Sequence, residues 1–270
     1  MTLTGPALID IGVNLTHRSF HADREEVIAR ALAAGVSPMN LTGTSLRSST
    51  EAAKLAGRYP GRLYSTAGIH PHDAKGCDET TIPRLRELAA LPQVTAIGEC
   101  GLDYNRDFSP RDVQRRWFEE QLGLAAETGL PLFLHEREAH ADFTALLRQH
   151  RPYIGRAVVH CFTGTAYELH KYLDMGLYIG ITGWICDERR GKHLRELVRS
   201  IPLERLMLET DAPFLTPRDL SPKPKDGRNE PAFLPHILQT VAACMGRPAG
   251  EVAEAATRTA RTFFGIGKQG

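Results

Sequence analysis

The sequence predicts an α/β fold in which eight parallel strands and the helices between them form a (β/α)8 barrel. Eight short apolar or β-branched runs recur along the chain without the polar alternation of half-exposed strands. Stretches with helical periodicity separate them, as crossover connections between parallel strands require. The chain has 270 residues, and such barrels typically have about 250. The alternative, a doubly wound open sheet, would use roughly five to seven strands.

The predicted strands follow one another in order along the chain. They are ALIDIGVNL (7–15), PMNLTGT (38–44), LYSTAGIHP (63–71), VTAIGECGLD (94–103), PLFLHER (131–137), RAVVHCFTG (156–164), LYIGITGWICD (177–187) and RLMLETDAP (205–213). Several helical stretches between them end at glycine or proline, as helices often do. A loop rich in proline and charge (214–236) follows the eighth strand. Two further helices, at about 232–246 and 248–264, complete one predicted domain of residues 1–270.

The composition is that of a soluble globular enzyme, with 42% hydrophobic and 24% charged residues, and it argues against disorder. The net charge of +1 provides no overall attraction to nucleic acid or to a membrane. An anionic substrate would therefore have to be bound by local groups. The five cysteines are widely spaced and form no CxxC pair, which predicts neither a disulfide framework nor a zinc knuckle.

The N-terminal stretch MTLTGPALIDIG lacks the basic and long apolar regions of a signal peptide. No apolar run reaches the length that spans a membrane. We therefore expect a soluble cytoplasmic protein with no membrane partner.

Residues suited to metal or acid–base chemistry follow the ends of several predicted strands. They are His70, His72, Glu99, His135, Glu136, His160, Glu209 and Asp211. The active sites of (β/α)8 barrels lie at the carboxyl ends of the strands. These side chains are therefore expected to face one rim.

Four of these residues predict a metal site. Glu99, His135, His160 and Asp211 would supply two imidazoles and two carboxylates from four strands, a mixed set that suits Zn²⁺, Mn²⁺ or Mg²⁺. Each residue also has a simpler interpretation. A lone histidine is often structural, Glu99 could pair with Arg137, and Asp211 could cap a turn.

His70 and His72 lie in the segment HPHD, where Pro71 restricts the backbone between them. His70 could be a third imidazole ligand or could donate to an anionic group of a substrate. His72 could do the same, or it could belong to a turn stabilised by Asp73.

Nine ordered segments together resemble the TatD family of metal-dependent deoxyribonucleases. They are DIGVNL, GTSLRSS, TAGIHPHD, AIGECGLDYN, FLHERE, VVHCFTG, YIGITGWICDERRG, LMLETDAPFLTPRDL and RNEPAFLPHIL. The resemblance implies a barrel of the metal-dependent hydrolase kind, with Glu99, His135 and His160 as ligands. Asp211 would touch the metal or take a proton from water. The implied activity is 3′→5′ exonuclease hydrolysis of single-stranded DNA, with RNA as a second substrate and DNA repair as the setting.

One segment departs from the family pattern. Many members carry an H-x-H pair after the first strand, whereas this chain has Gly12 and Asn14 at those positions and retains Asp10 before them. A second metal site would then be weaker and richer in oxygen, with Glu99 as the bridge between two ions. This favours Mg²⁺ as the ion, with Mn²⁺ or Zn²⁺ as alternatives.

Loops after the seventh and eighth strands are expected to contact the nucleic acid. Arg189 and Arg228 would meet phosphates. Trp184 is the first candidate to stack on a base, followed by Tyr104 and Phe162. We expect a monomer acting on single-stranded DNA.

Two other functions fit parts of the sequence. A metallohydrolase of a small-molecule amide or ester could use the same barrel and metal, although it would not need basic loops. A binding protein without catalysis is disfavoured by the complete set of Glu99, His135, His160 and Asp211.

Overall fold

A computed structural model describes residues 7–267 and contains one sheet of eight strands in the order β1 to β8. The strands are β1 (Leu8–Val13), β2 (Val36–Leu41), β3 (Leu63–Ala67), β4 (Val94–Asp103), β5 (Leu132–Arg137), β6 (Ala157–Val159), β7 (Tyr178–Ile181) and β8 (Leu206–Leu208). Neighbouring strands run parallel where their register is recorded, for example β4 with β5 and β7 with β8. The predicted (β/α)8 barrel class is confirmed.

A helix follows each strand. The helices are α1 (Arg24–Ala33), α2 (Leu46–Gly57), α3 (Thr81–Ala89), α4 (Arg111–Thr128), α5 (His140–His150), α6 (Ala166–Asp174), α7 (Lys192–Leu197), α8 (Leu234–Met245) and α9 (Ala249–Phe264). Local chemistry fixes several of their ends. Reciprocal side-chain to backbone hydrogen bonds cap α2 at Ser45 and α6 at Thr165. Gly129 ends α4 in the left-handed conformation, with φ +68°.

Several strands are shorter than predicted. β6 ends at Val159, β7 at Ile181 and β8 at Leu208, although apolar residues continue beyond each of them. Trp184 therefore lies in a short 3-10 helix, Gly183–Cys186, where its backbone N–H donates to Thr182 Oγ1. Strand pairing ends where the backbone hydrogen bonds end, and hydrophobic periodicity does not record that point.

Two compact parts make up the chain. One comprises residues 41–160, and the other comprises the residues up to Asn40 together with those from Cys161 onward. The single domain stays a prediction, and its ends, residues 1–6 and 268–270, lie outside the described residues. The N-terminal six residues are also part of the stretch used for the signal-peptide prediction.

The core of the 41–160 part is organised around β4, which is buried along its whole length. Glycines allow its neighbours to approach closely. Gly98 has φ +138°, and a Cβ there would overlap the carbonyl of Phe133 on β5. Gly101 has φ +147°, and a Cβ there would overlap the backbone of His135. Only glycine combines these backbone angles with this close contact.

In the other part, a buried carboxyl group links β1 to the segment that follows β8. Asp10 on β1 accepts hydrogen bonds from the backbone N–H and the hydroxyl of Thr210, and its side chain is fully buried. Burial raises the pKa of Asp10 to about 8, despite the hydrogen bonds from Thr210.

Within residues 7–267, no helix is both long enough and apolar enough to cross a membrane.

We expect Gly98→Ala to lower the free energy of unfolding by at least about 2 kcal/mol, because the methyl group meets the Phe133 carbonyl and the backbone angle is unfavourable. Gly123→Ala is the matched control. Gly123 is an exposed position inside α4 where a Cβ meets no atom within 4 Å, so this change should stabilise by about 0.5–1 kcal/mol. Urea unfolding measures both, and equal effects of the two changes would contradict the role given to Gly98.

We expect Asp10→Asn to change how stability depends on pH. The pKa of Asp10 is raised to about 8 in the folded protein from an ordinary 3.8, so unfolding releases a proton between these values. Stability of the wild type should therefore fall as pH rises from about 4 to 8, by at most about 1.4 kcal/mol per unit from this group. The variant amide can donate to Thr210 without titrating. Urea midpoints at pH 5 to 8 should thus diverge, and parallel curves would show that Asp10 is already ionised.

Candidate metal centre

Four side chains of the 41–160 part meet at one oxygen atom. Glu99 Oε1 lies 2.7 Å from His160 Nε2, 2.9 Å from His135 Nδ1 and 3.2 Å from His70 Nε2. Glu99 and His160 are buried, with 6% and 5% of their surfaces exposed. The sequence predicted that these side chains share one rim, and the structure brings these four together.

Consecutive strands position the four side chains. Glu99 lies within β4, and His135 lies on β5 directly opposite Gly101. His160 comes immediately after β6, and its backbone N–H donates to Leu134 on β5. His70 follows β3 and begins a short 3-10 helix, Pro71–Gly76. The grouping thus follows from the pairing of parallel strands whose carboxyl ends lie at the same edge.

Electrostatics keep Glu99 ionised. Burial alone would raise the pKa of its carboxyl group, but attraction to His160 and His70 and hydrogen bonds from His135 and His160 outweigh it. The pKa of Glu99 is therefore held well below its ordinary range. The site keeps a full negative charge in a buried position.

Asp103 at the end of β4 lies beside both His72 and His135. Its Oδ2 lies 3.4 Å from His135 Nε2 and 2.7 Å from His72 Nε2. Burial opposes ionisation of Asp103, yet the contacts with His135 and His72 lower its pKa. The contact with His135 is electrostatic and not a well-aligned hydrogen bond, because His135 Nε2 has no hydrogen-bond partner among the described residues. His135 Nδ1 is the nitrogen that faces Glu99.

The hydrogen bonds of His70 indicate a different role for its ring. His70 Nδ1 accepts the backbone N–H of His72 at 3.1 Å, so the neutral ring carries its proton on Nε2. Burial lowers the pKa of His70 to about 4, despite attraction to Glu99, so the ring is neutral at pH 7. An Nε2–H group donates to an anion and cannot bind a metal. Of the two roles predicted for His70, the structure favours the donor.

An exposed aromatic ring that no sequence pattern predicts borders this group. Phe108 is 54% exposed, and its ring lies 4.7 Å from that of His72 in an edge-to-face arrangement. Phe108 follows β4 in an irregular stretch before α4. No periodicity marks such a residue, because its position depends on the path of the loop.

The donor set fits a divalent cation. Glu99, His135 and His160 offer one carboxylate and two imidazole nitrogens within a few ångströms of one another. One nitrogen of His70 also lies within 4.8 Å of donor atoms of Glu99 and His135, but its proton on Nε2 leaves it outside the donor set. A cation among these groups would replace the protons that now hold them together. A mixed nitrogen and oxygen set suits several divalent ions.

The fourth predicted ligand, Asp211, belongs to the other part of the chain. Its Oδ1 accepts from Asn14 Nδ2 at 3.0 Å, and its backbone is left-handed, with φ +54°. Its backbone N–H donates to Gly12 on β1. Asn14 therefore contacts a carboxylate here. Asp211 stays a predicted ligand.

The residues predicted to contact the substrate differ in their exposure and in the side chains that already hold them. Trp184 is half-buried, with the guanidinium of Arg190 5.6 Å from its ring centre. Arg189 is exposed beside Asp187. Arg228 contacts both Asp23 and Glu230 at 2.7 Å and 2.9 Å, and only 15% of its side chain is exposed. These two ion pairs indicate a structural role for Arg228. Its predicted contact with a phosphate stays a prediction.

Two of the aromatic stacking candidates are already engaged. Phe162 is 3% exposed and packs edge-to-face on Tyr172, so the prediction that it stacks on a base is wrong. Its ring turns into the interior because the chain leaves β6 at Val159. The Tyr104 hydroxyl donates to Asp142, and Arg111 covers its ring.

Comparison with known proteins agrees with the geometry of the site. Residues 9–265 match the family model described as TatD related DNase. The chain is 54% identical over 259 residues to a protein from Citrobacter rodentium named 3′-5′ ssDNA/RNA exonuclease TatD, covering 96% of this chain and 98% of the relative. It is 53% identical to a protein of the same name from Klebsiella pneumoniae, covering 97% and 100%.

A solved structure supports the same assignment. The crystal structure of a TatD family hydrolase from Entamoeba histolytica superposes with a TM-score of 0.88 at 26% identity, covering 96% of this chain and 98% of that one. Sequence match, fold and the Glu99 grouping agree, and the chain belongs to the family of TatD-related DNases.

Proposed function

We propose that the protein is a metal-dependent nuclease that removes nucleotides from the 3′ end of single-stranded DNA and RNA. The observation that carries the proposal is the convergence of His135 and His160 on the ionised carboxylate of Glu99. The names of the relatives that are 54% and 53% identical support the substrate and the polarity. The protein would act as a monomer, with the whole chain as one domain.

Glu99, His135 and His160 would hold a divalent cation, and we propose Mg²⁺ as the ion, with Mn²⁺ or Zn²⁺ as alternatives. Such an ion supplies Lewis-acid charge at a phosphoryl group. Asp103, 3.4 Å from His135 Nε2, would add negative charge beside that ring and so favour a cation next to it. Asp211 would take a proton from the attacking water, the role that family resemblance implies.

His70 would bind the scissile phosphate. Its Nε2 proton lies close to two acceptors, the carboxylate of Glu99 at 3.2 Å and Nδ1 of His135 at 3.3 Å. A phosphate oxygen near the same position could accept that hydrogen bond. A neutral imidazole can donate it without adding charge, and the pKa of about 4 keeps the ring neutral during turnover.

Phe108 would stack on a base at the 3′ end of a single strand. Its ring is exposed and contacts His72, which is hydrogen-bonded to Asp103. An aromatic ring beside a phosphate site can bind any base through its face, which suits a nuclease without sequence preference. Trp184 and Arg189 are proposed as further contacts with the strand.

We expect Glu99→Gln to abolish bound metal and to lower the rate of 3′-end degradation at least about a hundredfold, because the amide removes the negative charge between the imidazoles. Glu87→Gln, an exposed position on α3, is the matched control. The measurement uses single-stranded DNA and RNA labelled at either end, with Mg²⁺, Mn²⁺, Zn²⁺ or EDTA, together with metal content and thermal melting.

His160→Gln provides an independent donor variant should Glu99→Gln fail to fold. Wild-type protein that leaves both nucleic acids intact with every ion would contradict the proposed function and favour a small-molecule hydrolase. Stepwise loss from the 5′ end would contradict the polarity alone.

We expect Phe108→Ala to raise the KM for single-stranded DNA about five- to thirty-fold, because base stacking on an aromatic ring contributes about 1–2 kcal/mol. The kcat should change little, since Phe108 packs on His72 and not on any of the residues proposed to hold the metal. Tyr153→Ala removes an aromatic ring that is 72% exposed in the turn after α5 and should leave both constants unchanged. Equal KM values for the two variants would exclude stacking on Phe108.

A further inference from the structure

A second cluster of metal-ligating side chains lies in the part of the chain that holds β1, β7 and β8. Three residues, Cys186, Asp219 and His236, each offer one donor atom, and these atoms lie within 4.8 Å of one another. We propose that these three residues bind a thiophilic divalent cation, with Zn²⁺ as the best fit. This site shares no residue with the grouping around Glu99.

Three separate elements bring the donors together. Cys186 ends the short 3-10 helix Gly183–Cys186, Asp219 lies in the long loop after β8, and His236 lies in the first turn of α8. The Cys186 thiol donates to Thr240 Oγ1, one turn further along α8, at 3.4 Å. The thiol, the carboxylate and the imidazole therefore face a common point beside α8.

The three side chains already contact one another at the position proposed for the ion. His236 Nε2 lies 2.6 Å from Asp219 Oδ1, and Asp219 also faces the Cys186 thiol. Ligands of a tetrahedral zinc ion lie about 3.3–3.7 Å apart, from bonds of about 2.0–2.3 Å. The His236–Asp219 pair would have to open by about 1 Å to reach this spacing. Both side chains are partly exposed, 32% and 41%, and have room to move.

The chemistry of the donors selects the ion. Thiolate and imidazole together favour Zn²⁺ and similar ions over Mg²⁺ and Ca²⁺, which prefer oxygen. Water can supply the fourth ligand, since Asp219 and His236 reach solvent. Zinc binds the thiolate, so binding would release the thiol proton to the buffer. The guanidinium of Arg195 acts on Cys186 electrostatically: it would oppose the cation, but it also lowers the pKa of the thiol and so favours the thiolate.

A cation here would have a structural effect on the loops around it. It would join the 3-10 helix that carries Trp184 and the loop that carries Asp219 to α8. Both connections follow strand ends in this part of the chain. The bound ion would therefore fix the positions of Trp184 and Arg189, two residues proposed to contact the nucleic acid.

The test is titration of the metal-stripped full-length protein with Co²⁺, followed by displacement with Zn²⁺. Cobalt bound to a thiolate shows a near-ultraviolet sulfur-to-cobalt charge-transfer band, and the donors around Glu99 include no sulfur. We expect the wild type to show this band. Cys186→Ser should lose it, while Cys244→Ser, which changes a half-buried cysteine of the same part, should retain it.

A second variant separates metal binding from folding. His236→Gln leaves the thiol in place and should weaken Co²⁺ binding at this site at least about tenfold. A wild type without the band would overturn the proposal, as would a band that survives in Cys186→Ser. The readout does not depend on nuclease activity, so its failure is distinguishable from failure of the proposed function.

Discussion

Glu99 carries an ionised carboxylate into a buried position, and three imidazoles surround its Oε1. An unpaired carboxylate there would cost several kcal/mol, so the rest of the site depends on these contacts. The arrangement that makes the charge tolerable also gathers nitrogen donors around it. Stability of the charge and readiness for a divalent cation therefore have the same cause.

That arrangement requires an unusual backbone around Glu99. Gly98 and Gly101 on either side of it let β4 approach Phe133 and His135 without side-chain overlap. Their positive φ angles are open to glycine at little cost. The segment GECG thus places a carboxylate between two close strand contacts. The imidazole of His135 reaches it because Gly101 lies directly opposite.

The imidazoles of the centre have separate tasks because their second nitrogens have different partners. His135 directs its Nδ1 at Glu99 and has the carboxylate of Asp103 3.4 Å from its Nε2. His70 has a backbone N–H at Nδ1, which places its proton on Nε2. One ring is therefore suited to a cation and the other to an anion such as phosphate. A second cluster elsewhere in the chain, formed by Cys186, Asp219 and His236, differs from both because its donors include a thiol.

The sequence by itself determined the eight-strand order and the fold class, because strand periodicity is a local signal. It also predicted Glu99, His135, His160 and Asp211 as one group of ligands, of which the first three lie together and Asp211 stays a prediction. It did not give the ends of β6, β7 and β8, and so it misplaced Trp184 and Phe162. It also could not show which nitrogen of His70 carries the proton, that Phe108 lies against His72, or that Cys186 meets His236. Those facts depend on contacts between residues distant in sequence, and only the tertiary structure decides them.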